Sequence, residues 1–514
     1  MISAMDLRFP SATIGPSFRF RAGKLPPSPP GKLPVIGHVH HLLGAIPHHA
    51  LHELSLQHGP LMHLRLGQVD HIIASSPEAA REIMKTHDHA FASRPQLLAA
   101  LAILYGGKDI AFAPHGDYWR QLRRICMQEL LSAKRVKSFD TCRQEEISNL
   151  MEAIFKKSQS PVNLSEMLLL SGNSLISRVA FGKKCKHGSR FIEIMKKAIE
   201  LGSGFSIADL FPSWSFVDAL TGVTSKSKEA NREIDEILEE ILKEHQEKRE
   251  AIGSKGDQLE EEDLVDVLLD VMENGELEIP LERTHVKAVI LDIFLGGTET
   301  SSTTLEWVMV ELMRHPEMMR KAQEEVRQAL KGKANIQEED ISELHYLKLV
   351  LKESMRLHPA LPLALPRLSS ENCQIDDYEI PAGSRIIINA WAIARDPRYW
   401  EDPESFMPER FDGSTIDYKG SSFEYLPFGA GRRICPGSSF AMAQMELALA
   451  NLLFYFDWEL PNGMEPQDLD MTETFGATAG RKSPLWLVPI PFIPSENGTK
   501  LPQISMKDPL SYRP

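Results

Sequence analysis

"FGAGRRICPG", Phe428 to Gly437, is the stretch on which the reading of this chain turns. The protein has five cysteines, and this stretch sets one of them, Cys435, among three glycines, two arginines and a proline. A packing cysteine needs apolar neighbours; this setting suits a sulfur that is approached closely and kept as thiolate. The run that follows, "SSFAMAQMELALANLLFYF", reads as a strongly apolar helix. A thiolate just before a helix N-terminus is favoured by the positive end of the dipole and by free backbone N–H groups. Glycines let backbone lie against a flat ligand, and Pro436 suits an early helical position. The plain alternative is an incidental cysteine ahead of a core helix. The joint spacing of Phe428, Gly431, Arg433, Cys435 and Gly437 argues against it.

Working outward, the 514 residues and 42% hydrophobic content fit a globular protein with a large core. Length alone suggests about three domains, but no stretch looks like a flexible linker, so a single large domain is expected. A net charge of −14 argues against nucleic acid as the main partner. The cysteines are scattered, odd in number and contain no CxxC, unlike a disulfide framework or a zinc site. Residues 1–24 hold no continuous apolar run of ten and read as a leader without a membrane anchor. Five prolines within Leu25–Ile36 predict a stiff, extended lead-in. The domain then spans 37–493, and 494–514 reads as a polar tail. The sequons at Asn163 and Asn497 read as chance matches.

Helical periodicity dominates, as in "PEAAREIMKTHDHAF", "NREIDEILEEILKEHQEKREA", "PEMMRKAQEEVRQALKG" and "ELHYLKLVLKESMRLHP". "PLMHLRLGQVDHIIASS" and "SRIIINA" read as strands, and Ile252–Asp263 as a charged loop. The fold class is therefore mainly α with a minor β-sheet region. Eight of the 18 histidines fall between His38 and His63. Their adjacent pairs, His40-His41 and His48-His49, point different ways on any regular element, so they read as loop and helix-surface residues rather than a metal site.

Three more stretches carry chemistry. "AVILDIFLGGTETSSTTLEWVMVELM", from Ala288, reads as a long helix interrupted at Gly296-Gly297. Each interior glycine costs about 1 kcal/mol relative to alanine, and Glu299 on an apolar helix adds a desolvation cost. Broken local rules are where function is expected: an opened backbone could hold water or a diatomic ligand beside Thr300 and Glu299. "KESMR" puts Glu353 and Arg356 at i,i+3, a spacing the chain repeats elsewhere, and Arg410 in "DPESFMPERF" could complete a buried cluster. "GDYWRQLRR" sets Trp119, Arg120 and Arg123 within about one turn, an arrangement suited to carboxylates. Helix–turn–helix with exposed Thr and Glu, and a solvated basic face, are the alternatives for the first and third.

The four stretches in this order resemble the cytochrome P-450 superfamily of haem-thiolate monooxygenases, from about Leu25 to Pro491. The lead-in, "YWRQLRR", "GGTETSS", "KESMRLHP", "PERF" and "PFGAGRRICPG" resemble the plant microsomal branch of specialised metabolism. "KAVILDIF", "IINAWAIARDPRYW" and "FDWELPNGM" look most similar to terpenoid hydroxylases, with some relatives acting on alkaloids. The resemblance implies the P-450 fold, haem b with Cys435 as axial ligand, and electrons from NADPH through a separate reductase. It implies that Thr300 holds oxygen and its water while Glu299 feeds protons. Trp119, Arg123, Arg433 and Arg367 would hold the haem propionates, with Phe428, Gly431 and Gly437 shaping the loop. Glu353, Arg356 and Arg410 would brace the core beneath.

Arg124, Lys134, Arg135 and Lys137 offer a basic face for the reductase. Substrate contacts are expected from Leu98, Leu101, Ile293, Leu295, Gly296, Leu361, Leu365, Phe475 and Ala477, which suit a small apolar substrate such as a sesquiterpenoid, hydroxylated or epoxidised. A monomer on the cytosolic face of the endoplasmic reticulum, held by its surface and partly soluble, is the expected state. Two departures stand out: Glu299 where the family more often has Asp, and the leader without an anchor. An alkaloid or phenolic substrate is the alternative within this chemistry. Haem-thiolate isomerases and dehydratases tend to disturb the threonine or the loop spacing, both intact here, and a haem-binding sensor would need neither Thr300 nor a reductase.

Overall fold

The computed structural model describes residues 24–492 apart from 185–187, 202–205, 254–261, 334–335, 475 and 477. The leader, the polar tail, most of the charged loop and two expected pocket residues, Phe475 and Ala477, therefore lie outside the described residues. Helices dominate, and the strands among the described residues form three small sheets of four, three and two strands.

The molecule is organised by the helix Arg283–Arg314, which runs unbroken for 32 residues. The expected interruption at Gly296-Gly297 is absent. A Cβ on Gly297 would lie 2.7 Å from Ile176 Cδ1, so the glycine admits the neighbouring helix Leu164–Phe181 at close range. That packing offsets the propensity cost, and the helix continues. Its N-terminal half joins Leu164–Phe181 and Leu264–Asn274 in one apolar core. Its C-terminal half joins the helices His345–Leu357 and Ser438–Tyr455 in another, with Trp307 fully buried.

The four-stranded sheet has the order Leu61–Leu66, Val69–Ala74, Arg385–Ile388, Arg367–Leu368. The first two strands, from one stretch read as strands, form a hairpin with Leu66 opposite Val69. Val69–Ala74 pairs in parallel with Arg385–Ile388. The proline lead-in is tied to this sheet where Pro27 O accepts the His63 N–H at 2.9 Å.

Two expectations change. "PEAAREIMKTHDHAF" is not one helix: α-turns at Pro77–Arg81 and Asp88–Phe91 flank a wider π-turn at Glu82–Thr86. The π-turn presents the Met84 carbonyl to Gly431 and leaves Asp88 free to meet two arginines. The histidines are also not uniformly superficial, since His38, His48 and His63 are buried. Asn163, in the first sequon, caps the following helix by accepting the Glu166 N–H.

Candidate active site

The cysteine loop is held by backbone. Cys435 N–H donates to Phe428 O at 2.9 Å, and Ile434 N–H to Gly431 O at 3.1 Å. Gly431 has φ +70°, and a Cβ there would fall 2.0 Å from Met84 O. No other residue fits that position. The loop ends at Gly437, immediately before the helix Ser438–Tyr455.

Four residues expected around a cofactor converge on this loop. Arg433 spends its donors on carbonyls: Nε to Ala92 at 2.7 Å, Nη1 to Ile110 at 3.0 Å and Nη2 to Ala113 at 2.5 Å. It lies 4.1 Å over the Trp119 ring, and Trp119 Nε1–H donates to the same Ile110 carbonyl. Arg123 Nη2 donates to Ile434 O at 2.6 Å, one residue from the sulfur. Arg367 pairs with Asp88 at 2.9 Å and donates to Ala430 O. Arg120 parts company with the group, turning outward to an exposed ion pair with Asp117.

Arg94, which no motif singles out, joins this group of arginines. It is buried and donates to Ala111 O, Leu365 O and Pro366 O. Among the described residues neither Arg94 nor Arg433 has a carboxylate within ion-pair distance. Burial, then the charges of Arg433 and Arg367, hold the Arg94 guanidinium well below its usual range. Burial, then Arg367, lowers Arg433 to about 9. Both guanidinium groups donate to neutral carbonyls, and exchanging a carbonyl for a carboxylate would strengthen each hydrogen bond.

Burial pushes the Cys435 thiol up, and the Gly437 backbone N–H and Arg123 only partly oppose it. Ligation to a thiophilic metal would require the thiolate.

On the central helix, Gly296 is exposed amid packed neighbours, with no atom within 4 Å of where its Cβ would be. That opening has room for a flat group. Thr300 lies one turn on, its Oγ1–H donating to Gly296 O at 2.6 Å. Glu299 Oε2 is buried without a partner, and burial raises its carboxyl. Two further acids escaped the sequence reading. Asp292 Oδ2 accepts the Ile110 N–H at 2.5 Å and the Ala111 N–H at 3.2 Å, while Asp109 accepts the Phe112 N–H at 2.7 Å. Asp292 staples to the central helix the loop whose carbonyls hold Trp119 and Arg433, and Asp109 closes a turn within that loop. Burial raises both carboxyls, Asp109 to about 6.

The expected charge cluster is assembled. Glu353 and Arg356 are fully buried and paired through two bonds of 2.8 Å, and Arg410 Nε reaches Glu353 at 3.0 Å. Arg356 also donates to the carbonyls of Ala394, Pro403 and Ser405.

Of the expected pocket residues, Leu98, Leu101, Leu361 and Leu365 are half-buried yet belong to none of the packed cores among the described residues. Side chains that border an internal space behave this way. Ile293 and Leu295 are half-buried against the core of the central helix. The walls are laced by backbone: Trp307 Nε1–H donates to Ala479 O at 3.0 Å, and Ala479 N–H to Ala360 O at 2.9 Å.

The family model described as Cytochrome P450 matches residues 26–486. Desmethyl-deoxy-podophyllotoxin synthase of Sinopodophyllum hexandrum is 54% identical, with 91% of this chain and 92% of the relative covered. Premnaspirodiene oxygenase of Hyoscyamus muticus is 50% identical over 92% of this chain and 94% of its own. A melianol synthase of Azadirachta indica is 47% identical over 96% of this chain and 100% of its own. Among solved structures, a zebra fish cytochrome P450 with abiraterone superposes with a TM-score of 0.73 at 26% identity, covering 87% of this chain and 100% of that one.

Proposed function

Because the chain belongs to the cytochrome P450 family, whose members are haem-thiolate monooxygenases, we propose that it hydroxylates an apolar terpenoid. NADPH would supply the electrons through a separate reductase. The observation that carries this reading is the apolar, half-buried set Leu98, Leu101, Leu361 and Leu365 together with the open face at Gly296. Such walls gain from buried apolar area, at roughly 25 cal/mol per Å2, and reject charges that would be buried unpaired. The relatives named for premnaspirodiene and melianol support a terpenoid.

Bound haem supplies the activation of O2, which thiolate ligation favours. The remaining work falls to side chains. Cys435 is the ligand we assign to the iron, entering as thiolate. Arg94, Arg123, Arg433 and Trp119 would take the two haem carboxylates, and the mismatch between cations and counter-ions described above fits that charge. Thr300, anchored by its proton on Gly296 O, keeps lone pairs free to hold a water on the open face. Glu299, with its carboxyl raised by burial, is suited to give up and regain a proton nearer neutral pH. Phe428, Gly431 and Gly437 hold the loop in place, while Glu353, Arg356 and Arg410 fix the ground beneath it.

For the reductase we favour exposed Arg124, Lys134 and Lys137, with Arg432 of the cysteine loop beside them. Arg135 is partly engaged by Glu262 at 3.0 Å. No helix among the described residues is long and apolar enough to cross a membrane. We place the protein on the cytosolic face of the endoplasmic reticulum, held at least in part by its surface.

The test is a spectral titration of the ferric enzyme. Terpene olefins should shift the Soret band and be turned over to allylic alcohols with NADPH and reductase. A shift and turnover seen only with a cationic alkaloid or a polar phenolic would end the terpenoid reading and leave the monooxygenase.

A further inference from the structure

We propose that His48, His49 and Glu473 form a divalent-cation site suited to zinc, joining the first helix of the domain to the hairpin at the far end of the chain. The two histidines open the helix Pro47–His58. As neighbours in sequence they should diverge, but Glu473 lies between them. Its Oε2 is 2.6 Å from His48 Nε2 and 3.2 Å from His49 Nε2. The rings stand edge to face, 4.5 Å apart at 85°. Three ligand atoms, one from each residue, lie within 4.8 Å of one another.

Two observations separate this arrangement from an ordinary hydrogen-bonded pair. His49 Nε2 is sealed from solvent and, although 3.2 Å from Glu473 Oε2, makes no well-aligned hydrogen bond with it, so both nitrogens face one carboxylate oxygen that a single hydrogen-bonded pair would not share. His358 points at the same carboxylate from the other side. Its side chain is 9% exposed, and its Nδ1 is without a partner 4.0 Å from Glu473 Oε1. The other nitrogen of that ring, Nε2, bonds Glu311 Oε1 at 2.7 Å. The ring is stacked flat on Trp307, 4.0 Å away at 2°. A carboxylate that holds one imidazole nitrogen while the other faces inward is the support that metal-binding histidines usually have. His358 is thus placed to complete or back the set. Imidazole and carboxylate donors with a fourth position available suit zinc; calcium and magnesium prefer oxygen alone.

The consequence reaches the pocket. Glu473 pairs across its hairpin with Arg481 and stands two residues before Phe475, an expected pocket residue. His358 stands two residues before Ala360, whose carbonyl holds Ala479. An ion here would fasten two pocket walls to the helix Pro47–His58, raising thermal stability and restraining the entry of substrate.

The experiment uses the full haem-loaded chain without an affinity tag of histidines, stripped by chelator and dialysed against graded zinc. Zinc and iron are counted together by mass spectrometry. The wild type should take up about one zinc per haem and unfold at a higher temperature for it. His49→Ala, a half-exposed position whose loss leaves the core alone, and Glu473→Gln should each weaken uptake by at least about tenfold and remove the thermal gain. Two results overturn the proposal: no uptake by the wild type, or uptake that His49→Ala and Glu473→Gln leave unchanged.

Discussion

The two sides of the candidate active site are built on opposite principles. In one region, Glu353, Arg356 and Arg410 form a closed set of charges: buried, paired, and finished with backbone carbonyls. On the central helix, Glu299 has an oxygen with no partner and Gly296 faces open space. The first arrangement tolerates no loss, since removing one member strands the others in a low dielectric. The second is incomplete as it stands and gains partners only when something enters. Rigidity is spent where a ligand must be fixed, and unsatisfied groups are kept where protons and water must move.

Substitutions can break or sharpen this contrast. The largest effect should come from Cys435→Ser, which should abolish the red-shifted Soret band of the reduced CO complex and all turnover. A mutant that keeps the band removes Cys435 as ligand. Glu353→Ala should come next, at about 3–5 kcal/mol of stability, read as little or no haem-loaded protein; a normal yield would mean that the closed side is not closed.

Thr300→Ala should do something of a different kind. Haem content and stability should stay near wild type while NADPH consumption is diverted from product to peroxide, and unchanged coupling would sink the assigned role. The smallest effect should be Glu299→Gln on thermal stability. Burial raises the folded-state carboxyl above its ordinary value, so its contribution is full below the unfolded-state value and is lost as pH rises through the folded one. The variant should therefore melt higher than wild type at neutral pH, with the gap closing toward acid. A gap that does not change with pH would show that this carboxyl is already satisfied.

The cysteine loop, the charge cluster and the helix carrying Thr300 were legible because their residue types are costly anywhere else. Glycine at 431 is demanded by a carbonyl 2.0 Å from its missing Cβ, and the sequence shows that demand as an odd spacing. Asp292 gave the same kind of signal as Glu299, an acid in an apolar run, and could have been found by the same rule. Arg94 could not, because its partners lie 17 and more residues away and are all backbone. The interruption of the central helix was expected from propensity, and the close approach of Ile176 to Gly297 overrode it. That three of the histidines expected to be superficial are buried has a related reason. Adjacency rules describe one isolated helix, and Glu473, 425 residues from His48, supplied the missing geometry.

The lacing of Trp307, Ala479 and Ala360 has a consequence for how such a pocket changes over generations. Two of its links join backbone atoms, or a buried indole to backbone, and none uses Leu98, Leu101, Leu361 or Leu365. The frame is therefore indifferent to which side chains face the cavity. Exchanging Leu98, Leu101, Leu361 or Leu365 for larger, smaller or polar residues removes no donor or acceptor from these links.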